Sequence, residues 1–365
     1  MTAARVGVGI VGAGTISDQY LENLTAFADL EVRFIADLDT GRAAAQAEKW
    51  GVAASGTYEE LLADDDIEIV VNLTIPAVHV DVALQAVAAG KHVWGEKPYA
   101  LDLTSARELA EAADAAGVRV AVAPDTILGA GLQTAFRAIR DGEIGTPLTA
   151  LAMLQSPGPE SWHPSPEFLF ALGAGPLFDI GPYYLTTLVQ VFGSVSRVFA
   201  SGSKSRETRI IGSGPKAGTE FPVEVPTHVG AMLEFRNGGS AQLVLSFDSH
   251  LRRTGFVEIA GTTGTAVLPD PNMFDGDTVI HGVDGERTIT AEGSTYSRGT
   301  GVVELAQAIR AGRPERVPGE LAFHVLEVMV AIASSAESRQ PVEVASTITL
   351  PETLDAAWDP AAPSL

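Results

Sequence analysis

Through residue 124, apolar β-branched runs alternate with stretches whose apolar residues recur at helical intervals. Val6 to Val11 is one such run, and Ile16 to Phe27 has the spacing of an amphipathic helix. Glu31 to Ala36 reads as a second strand and Thr40 to Trp50 as a second helix, with shorter segments near Val52 and Thr57–Leu62. Glu68–Leu73, Lys91–Trp94 and Val118–Ala123 read as further strands, and Val78–Ala89 and Leu103–Ala116 as helices. Gly90 stands where a left-handed helix cap is expected. Such alternation predicts a doubly wound parallel sheet covered on both faces.

Beyond residue 124 the pattern changes. Ile127 to Arg140 predicts a helix stopped at Gly142, and period-2 stretches with glycine-rich turns follow. They are Leu148–Gln155, Ser196–Ser201, Thr227–Phe235, Ser240–Ser246, Phe256–Ala260 and Ala266–Leu268. Gly175–Phe192, Val302–Arg310 and Leu321–Ser338 have helical spacing. The expectation is an α/β chain with a parallel-sheet domain over residues 1–124. A second α/β domain, with a mostly antiparallel sheet, is expected over residues 125–365. Gly202 to Pro226, rich in Gly, Ser, Lys and Pro, is expected to be a mobile loop.

Charge narrows the partners. With 24 basic and 46 acidic residues the net charge is −22, a field that repels phosphate backbones and argues against nucleic-acid binding. Any anionic ligand must be held by local groups. Cysteine is absent, which excludes disulfides and thiolate metal sites and fits a reducing cytoplasm. No apolar stretch approaches the ~20 residues of a membrane span. The segment Met1-Thr2-Ala3-Ala4-Arg5 lacks the basic region of a signal peptide. A cytoplasmic protein without a membrane partner is expected. His92, His228, His250, His281 and His324 have no metal-ligand spacing to one another, and no metal is expected.

The stretch "VGVGIVGAGTIS" carries the first candidate chemistry. Gly12, Gly14 and Ser17 occupy the three small positions of a dinucleotide fingerprint, between a predicted strand and a predicted helix. A tight turn is needed at Gly12, and backbone must approach a pyrophosphate at Gly14. The diphosphate would then rest on the N–H groups that open the helix, with Thr15 and Ile16 beside it. This is the arrangement of a Rossmann domain. Asp37 ends the second strand 25 residues after Gly12, where a carboxylate can accept both ribose hydroxyls and would repel a 2′-phosphate. Asp39 adds negative charge, and no basic residue follows until Arg42. The pattern favours NAD over NADP; a plain N-cap carboxylate for the Thr40 helix is the competing role, which Asp39 could also fill.

Asn72-Leu73-Thr74-Ile75-Pro76 closes a central strand, and His79 lies in the next helix's first turn. Thr74, Pro76 and His79 therefore belong to the sheet's carboxyl edge, where a dinucleotide binds. Glu96-Lys97-Pro98 ends the following strand on the same edge. Pro98 restricts Lys97 to extended geometry, so the lysine is aimed, and the bond between them is a candidate cis peptide. A lysine desolvated beside a cationic nicotinamide could donate, accept or polarise a proton at a reacting oxygen. Glu96 could hold the nicotinamide ribose or the lysine. The competing reading of Glu96-Lys97 is an exposed ion pair.

The chain resembles the glucose–fructose oxidoreductase, inositol dehydrogenase and rhizopine-catabolism (Gfo/Idh/MocA) family over nearly its whole length. The likeness rests on "GIVGAGTIS", "NLTIPAVH", "AAGKHVWGEKP", "LQTAFRAIRDGEIG" and "GAGPLFDIGPYYL". It implies a Rossmann domain followed by an α/β domain whose open sheet serves in a homodimer or homotetramer. It also implies pyridine-nucleotide oxidation or reduction of a sugar, cyclitol or glycoside. The family's catalytic lysine maps to Lys97. Its site aspartate maps to Asp179, but the histidine expected four residues later is Tyr183. One helical turn still brings Asp179 and Tyr183 to one face. The base is thereby left open between Tyr183, Tyr184 and the imidazole of His163, which with Trp162 precedes the glycine turn. Two other functions compete with a dehydrogenase. One is a glycosidase using NAD in transient sugar oxidation; the other is a cofactor-binding sensor without catalysis. Retention of Lys97 and Asp179 argues against the sensor.

Overall fold

A computed structural model describes residues 5–365, so residues 1–4 of the N-terminal segment read above lie outside the described residues. The chain divides into two compact units. The first comprises residues 5–130, 292–323 and 351–365, and the second residues 131–291 and 324–350.

The first unit opens with β1 (Val6–Val11), α1 (Thr15–Leu24), β2 (Leu30–Ala36), α2 (Thr40–Trp50), β3 (Ala54–Gly56) and α3 (Tyr58–Leu62). Next come β4 (Ile69–Asn72), α4 (His79–Ala88), β5 (His92–Gly95), α5 (Leu103–Ala116) and β6 (Val120–Val122). The six strands form one sheet in the order β3-β2-β1-β4-β5-β6, with every pair parallel. Val8, Ile10, Ile69, Val70 and Val71 are fully buried, as a sheet covered on both faces requires. The strand order reverses between β1 and β4, and beyond their carboxyl ends such sheets bind ligands. The helix ends follow their cap chemistry. The Asp39 carboxylate accepts from the N–H groups of Gly41 and Arg42, and α2 stops at Gly51 in the left-handed region.

The second unit follows with α6 (Ala130–Arg140), β7 (Pro147–Gln155), α7 (Gly175–Phe192), β8 (Val195–Ser203), β9 (Thr208–Ile210) and β10 (Glu220–Pro222). It continues through β11 (His228–Phe235), β12 (Ser240–Ser246), β13 (Arg253–Gly261), β14 (Gly264–Leu268), β15 (Thr278–Gly282) and β16 (Gly285–Ile289). The chain ends with α8 (Thr300–Ala311), α9 (Gly319–Ser338) and β17 (Val342–Glu343). A nine-stranded sheet runs β16-β15-β14-β13-β7-β12-β11-β8-β17, antiparallel except between β12 and β7. One face lies under α7 and buries Val229, Ala231, Leu233, Leu243 and Leu245. The other face presents Phe199, paired across the ladder with Met232; both are exposed.

Three expectations need correction. The second domain does not own everything after residue 124, because α8 and the C-terminal segment pack into the first unit. A Cβ on Gly301 would strike the Trp94 ring, the Gln307 amide donates to Asp29 and the Trp358 indole donates to Gln307. Residues 202–226 are not a featureless loop, since β9 and β10 pair antiparallel within them. An apolar helix of spanning length does occur: α9 has a mean hydropathy of 1.4 over its most apolar window. Its Val325, Leu326, Val328, Met329 and Ile332 are buried, as in a core helix.

Candidate functional site

The glycine turn fits a dinucleotide diphosphate. Gly12 has φ +102°, and a Cβ there would lie 2.8 Å from the Leu73 carbonyl carbon, so glycine is required. A Cβ on Gly14 would meet nothing within 4 Å, so this backbone faces open space at the start of α1. Gly14 caps α1 without a side-chain hydrogen bond, and exposed Thr15 and half-buried Ile16 begin the helix. The Ser17 hydroxyl turns inward to the Gly14 carbonyl at 2.7 Å. A serine thus serves where the fingerprint's third glycine was expected.

Asp37 lies at the carboxyl end of β2, beside this turn. One oxygen accepts the Ala13 N–H at 2.8 Å, and the other accepts the Asp39 N–H at 2.9 Å. Two backbone donors therefore fix the orientation of the carboxylate. Arg42, the first basic residue after Asp37, brings its guanidinium to 3.4 Å from the Asp37 carboxylate. Five residues of chain are here only a corner and the first turn of α2.

The edge beyond β4 and β5 is braced from behind. The Asn72 carboxamide oxygen accepts from the Thr74 N–H (3.2 Å) and hydroxyl (2.6 Å), and its nitrogen donates to the His79 carbonyl (3.0 Å). His79 was expected at the cofactor. Its buried ring nitrogens lie 2.9 Å from the Thr74 carbonyl oxygen and 3.1 Å from that of Pro98, and the nitrogen that carries the proton of the neutral ring donates to its carbonyl. Pro76 opens the single 3₁₀ turn before α4. The Lys97–Pro98 peptide is cis.

Glu96 is committed to the protein interior. One oxygen accepts the Tyr20 hydroxyl at 2.8 Å and the other the Lys97 N–H at 3.1 Å. Tyr20 is fully buried. Burial, reinforced by the negative Glu96 and Asp125, pushes its phenol well above the usual value, so it remains a donor. One side of the Glu96 carboxylate is thus turned to buried Tyr20. Sequence reading missed Tyr20 because a tyrosine on the apolar stripe of α1 is indistinguishable from core.

In the second unit, α7 carries Asp179 and Tyr183 one turn apart, half-buried and buried respectively. Pro182 lies inside this helix and brings no N–H to the Phe178 carbonyl one turn back. Tyr184 is unsuited to act as a base. It is fully buried, and its hydroxyl accepts the Gly255 N–H at 2.9 Å. Burial first, and the nearby Asp270 second, raise its phenol far above the usual range. Trp162 is 62% exposed and meets the His163 ring edge to face, and His163 meets Phe168 likewise. The Ser165 N–H donates to Nδ1 of His163 at 3.1 Å, so neutral His163 carries its proton on Nε2. In that tautomer it offers a donor rather than a base. Among the described residues, no group of three His, Asp or Glu side chains could hold a metal ion.

Comparison with known proteins decides the family. Residues 6–123 match the model of an oxidoreductase family with an NAD-binding Rossmann fold, GFO_IDH_MocA. Residues 132–267 match the GFO/IDH/MocA C-terminal domain. The chain belongs to the Gfo/Idh/MocA family. It is 28% identical over 353 residues to 1,5-anhydro-D-fructose reductase of Ensifer adhaerens, covering 92% of this chain and 98% of that protein. It is 27% identical over 309 residues to trans-1,2-dihydrobenzene-1,2-diol dehydrogenase of Sus scrofa, covering 83% and 86%. Among solved structures, an NAD-binding oxidoreductase from Klebsiella pneumoniae superposes with a TM-score of 0.82 at 25% identity, covering 94% of this chain and all of that one. In this Gfo/Idh/MocA chain the family's two domains correspond to the two sheets described above.

Proposed function

We propose that this Gfo/Idh/MocA oxidoreductase moves a hydride between NAD and a secondary alcohol, or the matching ketone, of a sugar or cyclitol. The single observation that carries the reading is the edge beyond β1, β2, β4 and β5. Gly12, Gly14, Asp37, Thr74 and Lys97 all lie on it, and Asn72, His79 and Tyr20 brace it from behind. The relatives agree in kind, one being named for an anhydro-sugar and the other for a ring diol.

NAD, when bound, supplies the acceptor and donor of hydride. The chain's residues do the rest. The N–H groups at the start of α1 hold the diphosphate, and Asp37 accepts the adenosine ribose hydroxyls. Lys97 takes the proton that leaves the carbinol oxygen during oxidation and returns it during reduction. Glu96 fixes the Lys97 backbone and does not reach for the ribose. Asp179 and Tyr183 bind substrate hydroxyls, with Trp162 and the Nε2–H of His163 as further substrate contacts. The exposed Phe199–Met232 row supports a homo-oligomer that pairs this sheet face with a second copy.

The test is a set of initial rates with NAD+ and a panel of myo-inositol, D-xylose, levoglucosan and 1,5-anhydro-D-glucitol. Formation of NADH is followed by absorbance. Lys97→Met should lower turnover by roughly a hundred- to ten-thousandfold while NAD+ still binds in calorimetry. Unchanged turnover would remove the lysine from the chemistry. Retained NAD with sugar cleavage and no net NADH would replace the dehydrogenase by a glycosidase.

A further inference from the structure

The β9–β10 ribbon carries Arg209, whose side chain is only 2% exposed. One guanidinium nitrogen donates to the Pro157 carbonyl at 3.0 Å and to the Glu160 carboxylate. The other donates to the Phe247 carbonyl at 3.0 Å and to the Asp248 carboxylate. The Phe170 ring stacks beneath it, 5.0 Å from the guanidinium carbon. Asp248 is further tied to the Thr227 and Ser205 hydroxyls, both at 2.6 Å. Ribbon and turn also meet through backbone. The Gly212 N–H donates to the Glu160 carbonyl at 2.7 Å, and a Cβ on Gly212 would lie 3.0 Å from Ser161 Cα. The same turn continues directly into Trp162 and His163, whose N–H groups both donate to the Pro159 carbonyl.

We infer that Arg209 is a positioning residue: it pins the Pro157–Pro164 turn so that Trp162 and His163 stand ready for substrate, and the ribbon is a fixed clamp rather than a swinging lid. The electrostatics give the clamp its force. Glu160 and Asp248 are 12% and 14% exposed, and one Glu160 oxygen is buried without a hydrogen-bond partner. The guanidinium bridges these carboxylates. Remove it, and both poorly solvated carboxylates lose their positive partner; Asp248 keeps the Thr227 and Ser205 hydroxyls, but Glu160 already has one oxygen without a hydrogen-bond partner, which drives the Glu160 turn outward. The planar fork matters as much as the charge, since it serves two carboxylates and two carbonyls at once. A lysine point charge cannot do so.

The part played by Trp162 and His163 at the substrate rests on the function proposed above; the clamp itself does not. The first measurement needs no substrate: amide hydrogen exchange of the full chain and of Arg209→Met and Arg209→Lys. Exchange at residues 158–165 and 209–214 should accelerate in both variants, less in the lysine one, while β11 and β12 keep their protection. Acceleration throughout the second unit, or none at residues 158–165, would overturn the clamp. The second measurement uses whichever compound of the NAD+ panel is oxidised. Arg209→Met should raise KM about tenfold, the ordering cost of two side chains, with kcat within about threefold. In a Trp162→Ala/His163→Ala background the same change should add nothing to KM. An equal rise there would show that Arg209 acts elsewhere and overturn its positioning role. If the Trp162→Ala/His163→Ala change leaves KM as it was, or no panel compound reacts, the substrate reading fails while the exchange result still decides the clamp.

Discussion

Acidification should unfold the second unit through one histidine. His324 on α9 is fully buried, its Nδ1–H faces the Ser346 hydroxyl at 2.7 Å and its Nε2 accepts the Val195 N–H at 3.0 Å. Both nitrogens are thus assigned, and a second proton at Nε2 would point straight at the Val195 N–H. Burial, only partly offset by Glu327, lowers the imidazole from 6.5 to about 4. Between those two values the unfolded chain binds a proton that the folded chain refuses, so each step down in pH favours unfolding. The stabilisation is whole above pH ~6.5; linkage puts the loss at about 2 kcal/mol at pH 5 and about 3 kcal/mol at pH 4. The measurement is urea unfolding, followed by circular dichroism, of the natural chain and His324→Gln at pH 7.5 and pH 5. Glutamine can still accept from Val195 but does not titrate. The variant starts less stable, yet its own drop between the two pH values should be smaller by about 2 kcal/mol. The lower pH is kept at 5 because Glu327 also matters in acid. Hydrogen bonds from Ser346 and Ala345 outweigh its burial and hold its carboxyl below the ordinary value, so its contribution is lost only further down. Equal pH slopes for the two chains would refute the argument.

Two further changes probe the dinucleotide edge. Asp37→Ala should weaken NAD+ by about tenfold or more and NADP+ by less, because Arg42 would then face a 2′-phosphate with only the more distant Asp39 carboxylate, at 3.9 Å, beside it. Calorimetric titration with both cofactors checks this, and equal losses would remove the ribose assignment. Tyr20→Phe strips the donor from Glu96 and the acceptor from the Trp94 indole, which lies 3.3 Å away. It should cost about 1–3 kcal/mol in urea unfolding and lower kcat with NAD+ affinity retained. A change in NAD+ affinity alone would place Glu96 at the ribose after all.

The readable parts of this chain are those whose stop signals sit next to the element they stop. Thr40–Trp50, Leu103–Ala116 and Gly175–Phe192 emerge with the bounds their sequence predicts. The first two are framed by Asp39 and Asp102 at their starts and by Gly51 and Gly117, both left-handed, at their ends. The glycine turn and the Glu96-Lys97-Pro98 corner were legible for the same reason. What escaped depends on partners far along the chain. The β9–β10 ribbon is hidden in a loop-like composition and ordered by Arg209, which reaches Glu160 and Asp248 across 49 and 39 residues. Tyr20 meets Glu96 across 76 residues. The return of α8 to the first unit depends on a glycine, Gly301, that lets Trp94 approach; no local pattern announces it.

A net charge of −22 and a twice-negative diphosphate look incompatible until the acids at the edge are followed individually. Asp37 turns its oxygens to the Ala13 and Asp39 N–H groups and lies beside Arg42. Asp39 is spent on the first N–H groups of α2. Glu96 is spent on Tyr20 and the Lys97 backbone. These carboxylates are directed into hydrogen bonds, Asp18 in the first turn of α1 is held by Gln46, Lys49 and Trp50, and the start of α1 is left uncapped by any side chain. The remaining acids act at a distance, and at physiological salt their field decays over about 8 Å. Local dipoles therefore decide at the turn, and the global charge is free to serve solubility.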